Sequence, residues 1–387
     1  MADEQASDEV SGRPKTLEEA KTWLRKRLRT RAHPMNLVDP IIANGVINRL
    51  SGLDGQSWAE EWSRAGDEVR QKAADAETRG NRMEAASEYA RASALYFLGR
   101  FPCPNHPAKE LAARAERETY LAAARHWDIP TKRVEIPFDG RGTEGRKVVF
   151  LFRRPEQAAA PLPVIIMWGG VDAWKEQMTS ISDAFLARGF ATVALDNVGT
   201  GESPVKGTPD ADRQFLPVLD WVTRQPDLQG ERPACLGRSF GGYWATRLAH
   251  TCRHRISAAV NWGGGAHFMF QRDWIEASRF PDSYLMDLVE TRMRMLGASN
   301  DAEYVEYFQR LSLLDQGVLD QPCAPLLLVN GKNDRQCPVA DIHLLTEHGS
   351  PKSVRLFPGG HMGHTPQTLP TIVDWVSHHV GASGRPT

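Results

Sequence analysis

The sequence predicts an α/β fold, in which a mainly parallel eight-stranded sheet carries helices on both faces and a helical domain precedes it. Two regions of the 387-residue chain, which differ in composition and in the spacing of apolar residues, predict this. From Leu17 to about Trp127, Ala, Glu and Arg dominate, and apolar residues recur at helical spacing. After Pro130, short runs of Val, Ile and Leu alternate with amphipathic segments, which is typical of parallel strands covered by helices. We therefore predict a helical domain at 1–130 and a sheet domain at 131–387.

The strand candidates are short apolar runs bounded by turn residues. They are TKRVEIPFD, RKVVFLFRR, PVIIMWGG, FATVALDN, PACLG, ISAAVNWGG, APLLLVNG and SVRLFPGG. Helical stretches such as EQMTSISDAFLARG and LPTIVDWVSHHV separate most of the later ones. Residues 265–320 interrupt the alternation with helical, bulky sequence, and we interpret them as an insertion that forms part of a lid or cap. We expect the polar residues 1–14 and the tail GASGRPT to be disordered.

The bulk composition indicates an ordinary globular protein, with 41% hydrophobic and 25% charged residues. The net charge of -1 gives no reason to expect nucleic acid or an anionic membrane as partner. The first residues, MADEQASDEV, are acidic, unlike a signal peptide, and no apolar run has the length of a membrane span. Five scattered cysteines without a CxxC pair indicate reduced thiols. We expect a cytoplasmic protein.

The stretch GRSFGG lies between the strand PACLG and the helical run YWATRLAH. It matches G-x-S-x-G, in which a strand turns sharply into a helix and the serine hydroxyl stands above the sheet edge. Gly237 and Gly241 would be small because larger side chains would collide across this turn. The alternative is a purely structural glycine turn, but the position between strand and helix favours Ser239 as a nucleophile.

A serine nucleophile needs a general base and an acid that orients the base. In this architecture the partners follow in the order Ser, acid, His. The predicted acid is Asp334 in LLLVNGKNDRQCP, just past an apolar strand, and the alternative is a turn-forming role for this residue. The predicted base is His361 in LFPGGHMGH, which we prefer to His364 because it directly follows the loop glycines.

The same chemistry needs an oxyanion hole made of backbone N–H groups. One donor is predicted to be Phe240, the residue after the nucleophile. The second is predicted in the loop after PVIIMWGG, at Gly170 or Val171, whereas Gly169 fits close helix–strand packing equally well.

Several stretches together carry a family resemblance. They are GGVDAWKEQ, LDNVGTGES, GRSFGG, VNGKND, PGGH and, in the helical domain, EAASEYARASALYFLGRFPCP. With these motifs the chain resembles the FrsA-like α/β-hydrolases, a group of esterases and enzymes that cleave a carbon–carbon bond beside a ketone. The resemblance covers most of residues 80–370. It implies an α/β-hydrolase fold with an N-terminal helical cap, an active site between the two, and a homodimer.

Three other stretches look like binding sites, and we interpret them as structural. NVGTGESP lacks the third glycine of a dinucleotide fingerprint, so we expect no cofactor. HTCRH has metal-like spacing without a second ligand pair, so we expect a solvated helix end and no metal. WLRKRLRTRAH lacks the aromatic partners of a nucleic-acid surface. Leu24 and Leu28 make it an amphipathic surface or dimer-contact helix instead.

The function predicted from these residues is a Ser-His-Asp hydrolase that cleaves an ester or related acyl bond of a bulky, aromatic or polyketide-like small molecule. One alternative is a C–C hydrolase acting next to a ketone on the same triad, and another is a non-catalytic protein that binds a partner. The candidate substrate-binding residues are Tyr96, Phe97, Trp168, Phe268, Phe270 and Glu276. For the aromatic ones, a plain core position is the alternative.

Overall fold

The computed structural model confirms the predicted α/β fold, with an eight-stranded, mostly parallel sheet. It describes residues 13–155, 161–230 and 232–382. The two segments predicted to be disordered lie outside these residues, apart from Arg13, Pro14 and the last two positions of the C-terminal helix. The chain divides into two compact units. The sheet unit comprises Lys132–Ser283 and Arg292–Thr387, and the helical unit comprises Ser11–Thr131 and Tyr284–Thr291.

The helical unit is built around three long helices, because α4 packs against both α3 and α5. The helices of its N-terminal segment are α1 Leu17–Arg29, α2 Pro40–Arg49, α3 Gly55–Thr78, α4 Arg82–Arg100 and α5 Pro107–Ala124. Along α3, buried Trp58, Trp62 and Val69 recur at helical spacing and form one apolar face. The indole of Trp58 donates a hydrogen bond to the Leu98 carbonyl at 2.6 Å, which fixes α3 against α4.

The segment Tyr284–Thr291 belongs to the helical unit, although the sequence analysis placed all of 265–320 in the sheet domain. Two contacts explain the difference. The Tyr284 ring stacks on Phe101 with centroids 5.9 Å apart. The Asp287 carboxylate lies 3.1 Å from the buried ammonium of Lys109.

Helix α1 carries the basic run, and its apolar face is used inside the helical unit. Leu24 and Leu28 are both buried within the chain, which favours the amphipathic-surface alternative over the dimer contact. The helix begins with a capping box, in which Thr16 and Glu19 exchange hydrogen bonds. Among the residues that the structure describes, no helix is both long and apolar enough to cross a membrane.

The sheet has the strand order β1-β2-β4-β3-β5-β6-β7-β8. Its strands are β1 Lys132–Pro137, β2 Lys147–Arg153, β3 Val164–Trp168, β4 Ala191–Leu195, β5 Ala234–Arg238, β6 Ala258–Trp262, β7 Leu326–Gly331 and β8 Lys352–Phe357. Strand β2 pairs antiparallel with β1 and β4, and the other pairings are parallel. Every residue of β3, β4 and β6 is buried, as expected for strands covered on both faces.

The helices of the second part of the chain connect these strands. They are α6 Thr179–Leu186, α7 Leu216–Thr223, α8 Gly241–Thr251, α9 Arg272–Ala277, α10 Leu288–Leu296, α11 Asp301–Gln309, α12 Ala340–Glu347 and α13 Thr368–Ala382. From β3 the chain moves outward to β4 and then returns to the other side of β3 as β5. Ligand sites of such sheets lie at the carboxyl ends of the strands where the order reverses. This places the candidate site after β3 and β5.

Candidate active site

Ser239 lies in a strained turn between β5 and α8. Its φ angle is +54°, in the left-handed region that costs a non-glycine residue of order 1–3 kcal/mol. The turn is held on both sides of the serine. Its N–H donates to the Trp262 carbonyl at 2.7 Å, and its own carbonyl accepts from Gly242 at 2.8 Å. The backbone therefore fixes the direction in which the serine side chain leaves the sheet.

The glycines around Ser239 are required by close backbone approach. A Cβ added to Gly237 would lie 2.0 Å from the Gly241 carbonyl oxygen. A Cβ added to Gly241 would lie 2.2 Å from the Gly169 carbonyl oxygen. Both distances are well inside van der Waals contact, so the turn admits no side chain at either position.

Three side chains from three different loops meet at this edge of the sheet. The Oγ atom of Ser239 lies 2.8 Å from Nε2 of His361. The Nδ1 atom of the same imidazole lies 2.8 Å from Oδ2 of Asp334. The Asp334 side chain is 0% exposed and the His361 side chain 15%, so the imidazole alone of this pair is open to solvent. The arrangement has the geometry of a nucleophile, a base and an orienting acid.

The Asp334 carboxylate accepts hydrogen bonds on both oxygens. Its Oδ1 atom accepts from the N–H groups of Gln336 and Cys337, at 2.8 and 3.2 Å. Its Oδ2 atom accepts from Nδ2 of Asn330 at 2.7 Å, in addition to the imidazole. These donors fix the plane of the carboxylate, and the carboxylate in turn fixes the ring of His361.

Asn330, which no motif in the sequence predicted, connects two loops of the candidate site. It is buried at the end of β7, and its Oδ1 atom accepts from the N–H groups of Gly331 and Met362, both at 2.8 Å. One side chain thus joins the Asp334 loop to the residue that follows His361. The Trp262 indole holds the same residue from the other side, because it donates to the Met362 carbonyl at 2.7 Å. The motif VNGKND contains Asn330, but no spacing rule pointed to this role.

The predicted oxyanion donors lie around the nucleophile. Phe240 directly follows Ser239 and precedes α8. A Cβ added to Gly170 would lie 2.8 Å from Cβ and 3.1 Å from Oγ of Ser239, so the loop after β3 runs against the nucleophile. Within the described ranges, the N–H groups of Phe240, Gly170 and Val171 have no protein acceptor. The choice between Gly170 and Val171 stays a prediction.

A buried ion cluster that no sequence motif predicted holds the loop after β3. The Asp196 carboxylate accepts from the N–H and the ammonium of Lys175, at 2.9 and 2.8 Å. It also accepts from the N–H of Glu202 at 2.7 Å. The Lys175 ammonium also lies 3.2 and 2.8 Å from the carboxylates of Glu176 and Glu202. Through the contact of Glu202 with Lys175, the loop NVGTGESP is thus bound to the loop that carries Gly170.

Opposite charges in this cluster stabilise each other. Burial alone would lower the pKa of Lys175, but the three carboxylates outweigh it and raise the pKa above its usual value. Burial would likewise raise the pKa of Glu202, whereas Lys175 and Arg133 lower it to about 2. Lys175 and Glu202 are therefore both charged at neutral pH.

Most of the predicted substrate-binding residues lie in the core of the protein. Tyr96, Phe97, Trp168 and Phe270 are buried core residues, so the core alternative holds for them. The Tyr96 hydroxyl bonds to Asp67 at 2.5 Å, and the Trp168 indole donates to the Gly241 carbonyl at 2.8 Å, below the turn. Glu276 is exposed and pairs with Arg279. Phe268 is 40% exposed and is the aromatic candidate that keeps an accessible surface.

Two features concern metal binding, namely the HTCRH stretch and a group of potential ligands around His361. His250 of HTCRH is not at a solvated helix end as predicted, because it is 1% exposed and its ring bonds to the Gln321 carbonyl at 2.7 Å. Asp334, Cys337 and His361 bring three potential metal ligands within 4.8 Å. Their chemistry does not suit a metal, because the imidazole and carboxylate bond each other and burial raises the pKa of the Cys337 thiol well above its usual value.

Comparisons with known proteins identify a family and support the fold. The family model Esterase FrsA-like matches residues 42–380. Esterase FrsA of Salmonella paratyphi B is 29% identical over 342 residues, which cover 87% of this chain and 80% of that protein. The structure of 2,6-dihydroxy-pseudo-oxynicotine hydrolase has a TM-score of 0.76 at 22% identity and covers 94% of this chain and 97% of that chain. Wild-type AbyA5 has a TM-score of 0.71 at 23% identity, with coverages of 94% and 99%. At such identities the two structures support the fold.

Proposed function

The chain belongs to the esterase FrsA-like family and is a hydrolase of the α/β fold, and we propose that it cleaves an ester or related acyl bond with Ser239 as nucleophile. The observation that carries the proposal is the pair of 2.8 Å contacts that joins Ser239, His361 and Asp334. Membership of an esterase family also favours an enzyme over the partner-binding alternative.

The proposed reaction follows from these contacts. As Oγ of Ser239 attacks the carbonyl carbon, Nε2 of His361 takes its proton. The imidazolium keeps its Nδ1–H on Asp334, whose charge stabilises it. His361 then gives the Nε2 proton to the leaving alcohol oxygen, and an acyl-enzyme ester remains. A water molecule attacks that ester with His361 again as base, which releases the carboxylic acid and restores Ser239.

The negative oxygen that develops in both steps would bind the N–H groups of Phe240 and of Gly170 or Val171. These groups are held in place before the reaction, Phe240 by the turn and the Gly170 loop by the Lys175 cluster. One such donor is worth about 10²–10³-fold in kcat.

The substrate body that we propose is bulky and aromatic or polyketide-like. Phe268 supports an apolar contact, because it is a large apolar side chain with an accessible surface in the insertion after β6. A C–C hydrolase on the same triad would release an acid with a ketone or arene, whereas an esterase releases an acid with an alcohol. Product analysis therefore separates the two reactions.

The experiment that tests the proposal is intact mass after exposure to a fluorophosphonate probe. We expect a single adduct on the wild type and on Ser299→Ala, a change at an exposed serine, and no adduct on Ser239→Ala. A folded wild type that takes no adduct, or a Ser239→Ala variant that still does, would contradict the proposal. A homodimer and a cytoplasmic location stay predictions, and sedimentation of the purified chain would check the former.

A further inference from the structure

Arg238, the residue just before the nucleophile, is the arginine whose surroundings the proposed function leaves unexplained. It ends β5 and pairs in register with Trp262 of β6. A Cβ added to Gly170 would lie 3.4 Å from the Arg238 carbonyl oxygen and 3.1 Å from Oγ of Ser239. Arg238 therefore stands where the nucleophile turn and the predicted oxyanion loop meet.

Other buried arginines of the chain have hydrogen-bond partners. Arg100 binds Glu116 through two nitrogens, and Arg153 binds Asp183 at 2.6 Å. Arg292 donates to Ser278 and Tyr304 at 2.9 and 3.3 Å. For Arg238, no residue in the described parts of the chain accepts a hydrogen bond from the guanidinium. The buried carboxylate of Asp172 interacts with it electrostatically.

This environment is costly for a guanidinium, which always carries its charge and five N–H donors. Burial lowers the pKa of Arg238, and the Asp172 carboxylate opposes that change only in part. The side chain is half-buried, whereas Arg100 is completely buried. Part of Arg238 therefore stays accessible one position before the nucleophile, and an acceptor that reaches the guanidinium there would replace the hydration that the fold removes.

We propose that Arg238 binds a carboxylate of the substrate, so that the preferred substrates are esters with a free carboxylate a few bonds from the scissile carbonyl. The planar guanidinium matches a carboxylate through two parallel hydrogen bonds, which a single ammonium cannot reproduce. The inference rests on the proposed function, because it names the substrate class of the same site. It makes Arg238 a substrate-binding residue that acts on specificity.

The test uses esters in matched pairs. In the first pair, the mono-4-nitrophenyl ester of glutaric acid is compared with the same ester whose free carboxylate is methylated. In the second pair, the carboxylate is on the leaving group, as in the valerate ester of 4-hydroxybenzoic acid and its methyl ester. The values of kcat/KM are measured for the wild type, Arg238→Met, Arg238→Lys and a control, Arg188→Met. Arg188 is exposed and pairs with Asp374. It lies just before the start of β4, at the end of the parallel strands opposite to the candidate site.

We expect the wild type and the control to prefer the charged member of one pair, and that pair tells which side of the ester carries the carboxylate. Charge-assisted hydrogen bonds of this kind correspond to about 10- to 100-fold in kcat/KM. In Arg238→Met this preference disappears, and in Arg238→Lys part of it returns. An equal loss on charged and methylated esters would show a structural role and overturn the proposal.

The failure of this proposal can be told from failure of the proposed function. If Ser239 takes the fluorophosphonate but the wild type prefers neither charged ester, only the role of Arg238 is wrong. If the wild type takes no adduct, the nucleophile itself is wrong. If Arg238→Met does not fold, the wild-type preference and the response of Arg238→Lys still decide, because a lysine that leaves the preference unchanged would contradict two-point binding.

Discussion

Asn330→Leu is the substitution whose consequences the structure defines most completely. Leucine has a similar size, but it removes three hydrogen bonds of 2.7–2.8 Å, to Asp334, Gly331 and Met362. Two buried N–H groups lose their acceptor, at about 1–3 kcal/mol each, and the Asp334 carboxylate loses a donor. Because neighbouring losses are not additive, we expect the free energy of unfolding to fall by about 3–4 kcal/mol.

The activity should fall as well, because the same side chain joins the Asp334 loop to the His361 loop. A displacement of about 1 Å in such a constellation costs about 10²-fold. We therefore expect kcat for a 4-nitrophenyl ester to fall about 10²-fold in Asn330→Leu, with a smaller change in KM.

The assay combines urea unfolding with steady-state kinetics, and the same loop offers a control. Asn333 is an exposed residue whose backbone N–H, which donates to Gly359 at 3.0 Å, survives substitution. Asn333→Leu should change stability and kcat little. If the free energies of unfolding of Asn330→Leu and Asn333→Leu differ by less than 1 kcal/mol and their kcat values are equal, the bridging role assigned to Asn330 is wrong.

Three further predictions concern strain, buried charge and pH. Ser239→Gly and Ser239→Ala should both be inactive, but the free energy of unfolding should be about 1 kcal/mol higher for the glycine variant, because glycine adopts the φ of +54° without the strain that the alanine Cβ causes; equal stabilities would show that the turn is not strained. Lys175→Met should lower the free energy of unfolding by about 3–5 kcal/mol, since it leaves the Asp196 carboxylate buried without its ammonium, and Lys175→Met/Asp196→Asn should recover part of this loss in the same urea titration. Burial lowers the pKa of His250 from 6.5 to about 4, although its bond to Gln321 opposes this, so the unfolded chain binds the extra proton first. The stability from neutral His250 is then complete above pH 6.5 and is lost as the pH falls towards 4, by up to about 3 kcal/mol; His250→Gln should flatten urea midpoints over this window, and parallel curves would refute the assignment.

The strands could be predicted because their signal is local. Runs such as VIIMW and ATVAL are apolar throughout, and each became a fully buried strand. The positions of Ser239, Asp334 and His361 were also predictable, since each follows a strand and the parallel sheet brings strand ends together. The prediction that aromatic residues such as Tyr96 bind substrate was wrong because its signal is not local. Tyr96 and Phe270 have the same helical spacing whether they face a ligand or the core, and only packing decides.

Long-range pairing explains the rest of what the sequence did not reveal. Lys175 and Asp196 are separated by a helix and a strand, and neither has a motif of its own. Asn330 and Arg238 are ordinary residues at strand ends until their partners, or the lack of them, are known. The role of each depends on contacts with residues that are distant in the sequence.

The assignment of Tyr284–Thr291 to the helical unit has a consequence for how the protein is made. A ribosome completes the five N-terminal helices long before it reaches this segment, and the whole stretch from Lys132 to Ser283 is synthesised in between. The ammonium of Lys109 meets the Asp287 carboxylate, and Phe101 meets Tyr284, only after that interval. The helical unit therefore cannot finish folding as an independent N-terminal piece, and a chain released after residue 131 would lack part of its own interior.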